Sequence, residues 1–322
     1  MEEKIEKFIF PYSLKYLYII LQSKINYNYY FKNCKEYLDK YKDYIIHIPT
    51  NRNIKDKDIN KEINEKIPCI FKKYPNSNNI LIIFHCNGID MFDTFEIISE
   101  LNLSEKFKIN ILIPEYPGYT IYDSPVSSEK CLEDSLIIYD YILNNIKNIK
   151  EKNIYILGRS LGTGPAIYLS SKRNPAGTIL ISPYTTFAAV GKHNEEEFKA
   201  LSNHFTSIDY IDKVTSPIFI IHGKSDELIN YQEAIKLYEK CDKNKNKKIE
   251  IIKDMGHNNI HEYIDNLIIP YANIFINKYC PLNYSENNKD VIIDFNKNLY
   301  ELPDKVKEMI TNISSDSLSD DS

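Results

Sequence analysis

Glycine is scarce in this chain, with 9 residues in 322. Scarcity makes its placement informative, because glycine is required only where the backbone turns tightly or another group comes close. Gly158, Gly162 and Gly164 fall in one short stretch, and Gly88, Gly118, Gly223 and Gly256 each follow shortly after an apolar run. Paired cysteines are also missing. The 6 cysteines (Cys34, Cys69, Cys86, Cys131, Cys241, Cys280) are scattered, with no CxxC and no regular spacing, which speaks for a reducing compartment over a disulfide framework. No uninterrupted apolar run reaches the ~18 residues that span a bilayer. The chain opens acidic where a signal peptide needs a basic start, Glu2 stands where myristoylation needs glycine, and no CaaX box closes the chain. The expected location is therefore cytoplasmic. Basic excess is lacking too: the net charge is −5, so the bulk balance gathers no phosphates and nucleic acid is not an expected partner.

What is present is a regular alternation. Short apolar runs recur at 44–48, 67–71, 80–84, 109–113, 153–157, 178–181, 218–221 and 248–252, and helical patterns separate most of them. Pro68 puts the second run near a sheet edge, and the polar stretch 51–66 reads as a loop or a hairpin tip. Strand and helix alternating in this way imply an α/β fold, a mostly parallel sheet of about eight strands with helices on both faces. Residues 1–42 read as a helical extension. Within it Phe10, Leu14, Leu17 and Leu21 share one helical face, which either packs on the domain or gives peripheral membrane contact through residues 8–21. Residues 43–280 form the main domain. The extension 281–322 carries a short amphipathic pattern at 302–313 and ends in an acidic Ser/Asp tail that buries too little to order itself.

The glycine-rich stretch is Gly158-Arg159-Ser160-Leu161-Gly162, set between an apolar run and a helical pattern. A serine hydroxyl is a weak nucleophile at neutral pH. It needs a base, a group that orients the base, and donors for the oxyanion. A sharp strand-to-helix turn lifts such a serine above the sheet, and small neighbours leave room for the turn. It also sets the backbone N–H of Leu161 at the start of a helix, where it can donate to an oxyanion. The remaining groups should follow later strands. One run passes through His222-Gly223 to Asp226, with Glu227 as the competing acid. The next leads through Met255-Gly256 to His257. The chain order Ser160, Asp226, His257 differs from the two common protease orders.

Six motifs lie in register: FHCNGID (84–90), EYPGY (115–119), LGRSLGTGPA (157–166), ISPYTT (181–186), SPIFIIHGKSDELI (216–229) and GHNNI (256–260). On these the chain resembles an α/β-hydrolase, and most resembles the branch of abhydrolase-domain protein depalmitoylases and their Bem-type relatives. The resemblance covers about residues 44–279. It implies a serine hydrolase with Ser160 as nucleophile, His257 as base and acid, Asp226 orienting His257, and backbone N–H groups of Leu161 and Asn87 receiving the oxyanion. No cofactor and no metal is implied. The substrate class is an acyl ester or thioester, with a palmitoylated protein as one reading and a lipid or small-ester carboxylesterase as the alternative. A non-catalytic binding protein of the same fold is the rival of another class. The sequence departs from the resemblance at Cys86, where many relatives carry glycine before the second oxyanion residue. It also has only Cys34 in its first 68 residues, without an N-terminal cysteine cluster.

His85 and His222 each follow a buried run and read as hydrogen-bonded structural histidines. Cys86 reads as a small buried filler. His257 and His261 have the spacing of a zinc pair, but Asn258 rather than glutamate follows His257 and no third ligand is evident. The cap region 184–216 is short and polar in its middle, so the site should be fairly open. Tyr119, Phe187 and Phe205 are the residues expected to line an acyl pocket.

Overall fold

The eight apolar runs become eight strands of one sheet: β1 (Ile45–Lys55), β2 (Glu62–Lys72), β3 (Ile80–Phe84), β4 (Asn110–Pro114), β5 (Ile154–Arg159), β6 (Gly177–Ile181), β7 (Ile218–Gly223) and β8 (Lys247–Ile252). The computed structural model describes residues 36–55, 62–282, 293 and 295–301. The amphipathic stretch 8–21, the pattern at 302–313 and the Ser/Asp tail lie outside the described residues. The strand order is β1-β2-β4-β3-β5-β6-β7-β8. β1 and β2 pair antiparallel, as do β2 and β4, and every later pairing is parallel. β1 and β2 run further into the 51–66 stretch than apolarity alone predicts, with pairing out to Lys55 and Glu62 and a register shift between Pro49 and Asn53. Charged and amide residues outnumber apolar ones along 51–66, so this part of the hairpin shows no apolar run.

The central strands are buried on both faces, and their side chains alternate between two cores. Ile80, Ile82 and Phe84 of β3, Ile154 and Ile156 of β5, and Ile218 and Ile220 of β7 face one cluster. Leu81, Ile83, Tyr155, Phe219 and Ile221 face the other. Helices α3 (Ser128–Asn145), α4 (Thr163–Lys172) and α6 (Gln232–Lys240) give residues to the first cluster. Helices α1 (Met91–Glu100), α2 (Leu103–Phe107) and α7 (Ile269–Tyr279) give residues to the second. The short α5 (Glu195–Leu201) lies in the cap region.

Local chemistry starts these helices where the sheet needs them. The Asp90 carboxylate accepts from the N–H groups of Phe92 and Asp93, and the Asp93 side chain answers to the Asp90 N–H, which makes a capping box for α1. Ser127 caps α3 through the Lys130 N–H, and Pro270 occupies the first turn of α7. Residues 36–41 are helical and dock on α1, where Tyr37 stacks on Phe92 at 5.5 Å and Tyr41 meets Phe95 edge-on at 5.2 Å. Beyond residue 280 the chain returns to the core. Ile293, Phe295 and Leu299 are buried, and Phe295 meets Phe71 of β2 edge-on at 4.7 Å. Burying one such side chain stabilises by about 1.5–3 kcal/mol. Among the described residues, no helix is long and apolar enough to cross a membrane.

Candidate active site

The parallel strands end on one edge of the sheet, and the loops that leave that edge converge. β5 ends in the Gly158–Gly162 turn, and Ser160 sits at its tip in the left-handed region, with φ at +51°. A Cβ raises the energy of that conformation by roughly 1–2 kcal/mol, so surrounding packing must hold it. The two glycines show how tight the turn is. A Cβ on Gly162 would lie 2.1 Å from the Phe84 carbonyl oxygen of β3, and one on Gly158 would lie 2.5 Å from the Gly162 carbonyl oxygen. The Thr163 hydroxyl donates to the Ser160 carbonyl at 2.7 Å, and the Tyr184 hydroxyl donates to the Leu161 carbonyl at 3.0 Å. Both carbonyls also face the Thr163 N–H, so the turn is held by backbone and side-chain donors together.

The three residues expected from separate strand ends meet here. Ser160 Oγ lies 3.1 Å from His257 Nε2, and His257 Nδ1 lies 2.8 Å from Asp226 Oδ2. Glu227, the competing acid, takes no part in these contacts. Oδ1 of Asp226 accepts from the N–H groups of Leu228 at 3.0 Å and Ile229 at 2.8 Å. Burial alone would raise the Asp226 pKa. Hydrogen bonds from His222, His257 and the Ile229 N–H outweigh it and hold the carboxyl well below its ordinary value. An ionised carboxylate only accepts hydrogen bonds, so Nδ1 of His257 carries the proton and Nε2 presents its lone pair to the Ser160 hydroxyl.

Gly223 brings the last two loops together, since a Cβ there would lie 2.1 Å from the Met255 carbonyl oxygen. The Ser225 N–H donates to the same oxygen at 3.0 Å, and the Gly256 N–H donates to Asn259 Oδ1 at 2.7 Å. The cap region joins the acid loop as well. Gly191 N–H donates to the Leu228 carbonyl at 2.8 Å, and Val190 bridges Ile229.

Leu161 stands at the entry to α4. Asn87 follows β3, which pairs with β5 in register Phe84 to Gly158, so both residues leave neighbouring strand ends. Asn87 Oδ1 accepts from the Tyr119 hydroxyl at 2.7 Å and from the Gly88 N–H at 3.1 Å. Cys86 is buried. Its Sγ receives Arg159 Nη1 at 3.1 Å, and burial pushes its thiol pKa up against the opposing pull of Arg159.

Tyr119, Phe187 and Phe205 are packed away from any open surface. All three belong to the core on the α3/α4 side of the sheet, and Tyr119 is 1% exposed. Phe187 meets Tyr184 edge-on at 5.9 Å, and Phe205 lies so close to Gly164 that a Cβ there would come within 2.6 Å of its ring. None of the three lines the apolar cavity of about 440 Å³ on the other face of the sheet. His85 is buried between Glu115 Oε1, 3.1 Å from its Nε2, and the Cys86 carbonyl, 3.1 Å from its Nδ1. His261 projects outward, apart from the Ser160–His257–Asp226 relay.

Two contacts at the site were not anticipated. His222 Nε2 donates to the Ile229 carbonyl at 2.9 Å and lies 3.4 Å from Asp226 Oδ2, so it braces the acid from beneath. Arg159 bonds the Cys86 sulfur and, through Nη2, the His257 carbonyl at 3.0 Å, which links the β3 loop to the histidine loop. The alternation Tyr155, Leu157, Arg159 along β5 is the signal that puts Arg159 on the face opposite Ile154 and Ile156.

Comparison with known proteins agrees with this architecture. Residues 176–266 match the prolyl oligopeptidase family, a span that includes Asp226 and His257 and begins after Ser160. A putative alpha/beta hydrolase of Acanthamoeba polyphaga mimivirus is 30% identical over 195 residues, covering 60% of this chain and 72% of the relative. The human alpha/beta hydrolase domain-containing protein 17B is 29% identical over 201 residues, covering 62% of this chain and 67% of that protein. Among solved structures, an esterase of Pyrococcus furiosus superposes with a TM-score of 0.58 at 18% identity, over 71% of this chain and 91% of its own. The sheet order, the tight serine turn and these relatives converge on one conclusion: the chain belongs to the α/β-hydrolase family.

Proposed function

We propose that the protein is a serine hydrolase that cleaves acyl esters or thioesters through an acyl-enzyme. The observation that carries this reading is the unbroken relay from Ser160 Oγ through His257 to Asp226, at 3.1 and 2.8 Å. Ser160 attacks the acyl carbonyl carbon while His257 Nε2 takes its proton. The backbone N–H groups of Leu161 and Asn87 stabilise the oxyanion. His257⁺ then protonates the departing alcohol or thiol, and Asp226 stabilises the imidazolium without taking its proton. Water, activated by the same histidine, attacks the acyl-enzyme and releases the carboxylic acid.

Within this class the favoured substrate is an acyl thioester displayed on a protein, and a lipid or small ester is the alternative. The short cap between Tyr184 and Ser216 supports a bulky substrate, because it contains only one seven-residue helix and a few single turns. The described cysteines are all unpaired and buried, which supports a cytoplasmic site of action. Residues 8–21 would supply peripheral membrane contact if the substrate is membrane-bound.

The test is turnover of matched acyl thioesters and oxygen esters of increasing chain length, by wild type and by Ser160→Ala, Asp226→Asn and His257→Ala. Loss of a triad member should lower turnover by roughly 10⁴ or more. A chain-length optimum with thioesters would favour the protein-thioester reading, and equal turnover of short esters would favour the small-ester one. Wild-type protein that is folded and turns over none of them, with a Ser160→Ala chain that keeps its cellular role, would favour a binding protein.

A further inference from the structure

One cavity in the structure is left unused by the proposed reaction. It holds about 440 Å³ and lies on the sheet face between α1 and α7. Its walls include Leu81, Ile83, Leu157, Ile179, Ile98 and Ile276. Neither Ser160 nor His257 lines it. Their chain neighbours Arg159 and Asn258 line it instead, and Arg159 bonds Cys86 and the His257 carbonyl.

The cavity has a direction. It follows β5 from Tyr155 to Arg159, roughly 13 Å at the rise of a strand. The β5 wall alone takes on the order of ten methylenes of an extended chain, and the lining continues to Leu103 of α2 and Leu282 after α7. One end is lined by Phe107, Ile109 and Cys280. The Arg159 guanidinium stands at the other. Its five N–H donors are only partly used by the sulfur and the carbonyl, and among the described residues no carboxylate pairs with it. Glu100 also lines the cavity, but it ends α1, whereas the first turn of α1 leaves the Arg159 end of the sheet. An anionic head is therefore attracted at Arg159 and disfavoured at the opposite end.

We propose that this cavity binds a long-chain fatty carboxylate, with its alkyl chain along β3, β5 and β6 and its head on Arg159. Size and charge both select this occupant. The volume suits a single small lipid. A helix takes on the order of 120 Å³ per residue from its diameter and rise, so the cavity would seat about one turn and cannot hold an amphipathic segment. A neutral chain would fill the same walls and leave the guanidinium without an anion. A charge-assisted pair to a carboxylate should make the acid about ten- to a hundred-fold tighter than its alcohol. The carboxylate would then stand one residue from the His257 loop, through the Arg159 bond to the His257 carbonyl. The site does not depend on chemistry at Ser160, so its fate and that of the hydrolase reading can be told apart.

The experiment is binding of cis-parinaric acid to the full-length Ser160→Ala protein, followed by fluorescence, with displacement by palmitate, hexadecanol and octanoate below their aggregation limits. The expected result is one site, displaced by palmitate at least about tenfold more tightly than by hexadecanol, and poorly by octanoate. Arg159→Gln should remove the advantage of the acid and leave the alcohol unchanged. Leu157→Phe should weaken both, and Ile98→Trp at the partly exposed rim gives the same reading if Leu157→Phe does not fold. Equal binding of acid and alcohol by wild type, or unaltered binding by both filling variants, would overturn the proposal. So would absence of binding by wild type.

Discussion

At the scale of single residues, the site depends on placing groups where they would not rest by themselves. Ser160 holds φ at +51° because the turn leaves it no other choice. Glycine adopts that conformation without the Cβ clash. Ser160→Gly should therefore be inactive yet more stable than Ser160→Ala, by about 1–2 kcal/mol in chemical denaturation. Equal stability of the two would mean that the turn stores no such strain. His222 is the second case. Its Nε2–H reaches both the Ile229 carbonyl and Asp226 Oδ2, while its Nδ1 is buried without a partner. It is a positioning residue, acting through the acid. His222→Ala should lower turnover by roughly ten- to a hundred-fold, far less than Asp226→Asn. His222→Gln, which can still donate, should recover part of the loss. A plain packing role would show as loss of stability that glutamine does not rescue and no change in turnover per folded molecule. Ser160, Asp226 and His257 were legible because each follows a strand at a glycine-marked turn. The brace from His222 was not, since four residues of separation around a turn carry no sequence signature of contact.

At the scale of elements, strands and helices fell where apolar period and caps put them, and the departures have physical causes. β3 was read at 80–84 and stands there, because a fully buried strand shows its whole length as apolar residues. β1 and β2 outran their apolar runs because backbone pairing carries a hairpin past them, as it does out to Lys55 and Glu62. The aromatic residues expected around an acyl pocket became core on one face, while an ordinary-looking set of isoleucines and leucines lines the cavity on the other. Composition cannot separate a core wall from a cavity wall, since both are apolar and only the packing of α1 against α7 decides. The cap of α1 carries a prediction of its own. Burial, with the nearby Glu115 and Asp93 carboxylates adding, pushes Asp90 up to about 7 against the pull of its cap hydrogen bonds. The folded state then holds a proton that the unfolded chain releases near the ordinary aspartate value of 3.8. Stability from this group is full below that value and is lost as pH rises toward 7. Asparagine caps a helix as well as aspartate does. Asp90→Asn should therefore lose less stability than wild type between pH 5 and 8, measured by unfolding midpoint. Identical pH slopes would place the Asp90 pKa near its unfolded value.

At the scale of the whole molecule, one sheet gathers groups far apart in sequence. Ser160 and His257 are 97 residues apart and meet only because β5 and β8 end on the same edge of the same parallel sheet. The gross architecture was legible for this reason: eight runs, alternating helices and one glycine-marked serine leave few ways to close a mostly parallel sheet. The identity of the acyl group was not legible, because pocket shape follows from how helices settle on the sheet. The most direct test of the account is covalent labelling of the folded protein by a fluorophosphonate, with the adduct located by mass spectrometry. The account predicts a single adduct on Ser160, absent in Ser160→Ala and formed far more slowly in Asp226→Asn and His257→Ala. A folded wild-type protein that takes no label, or takes it on another residue, would contradict the claim that Ser160 is an activated nucleophile.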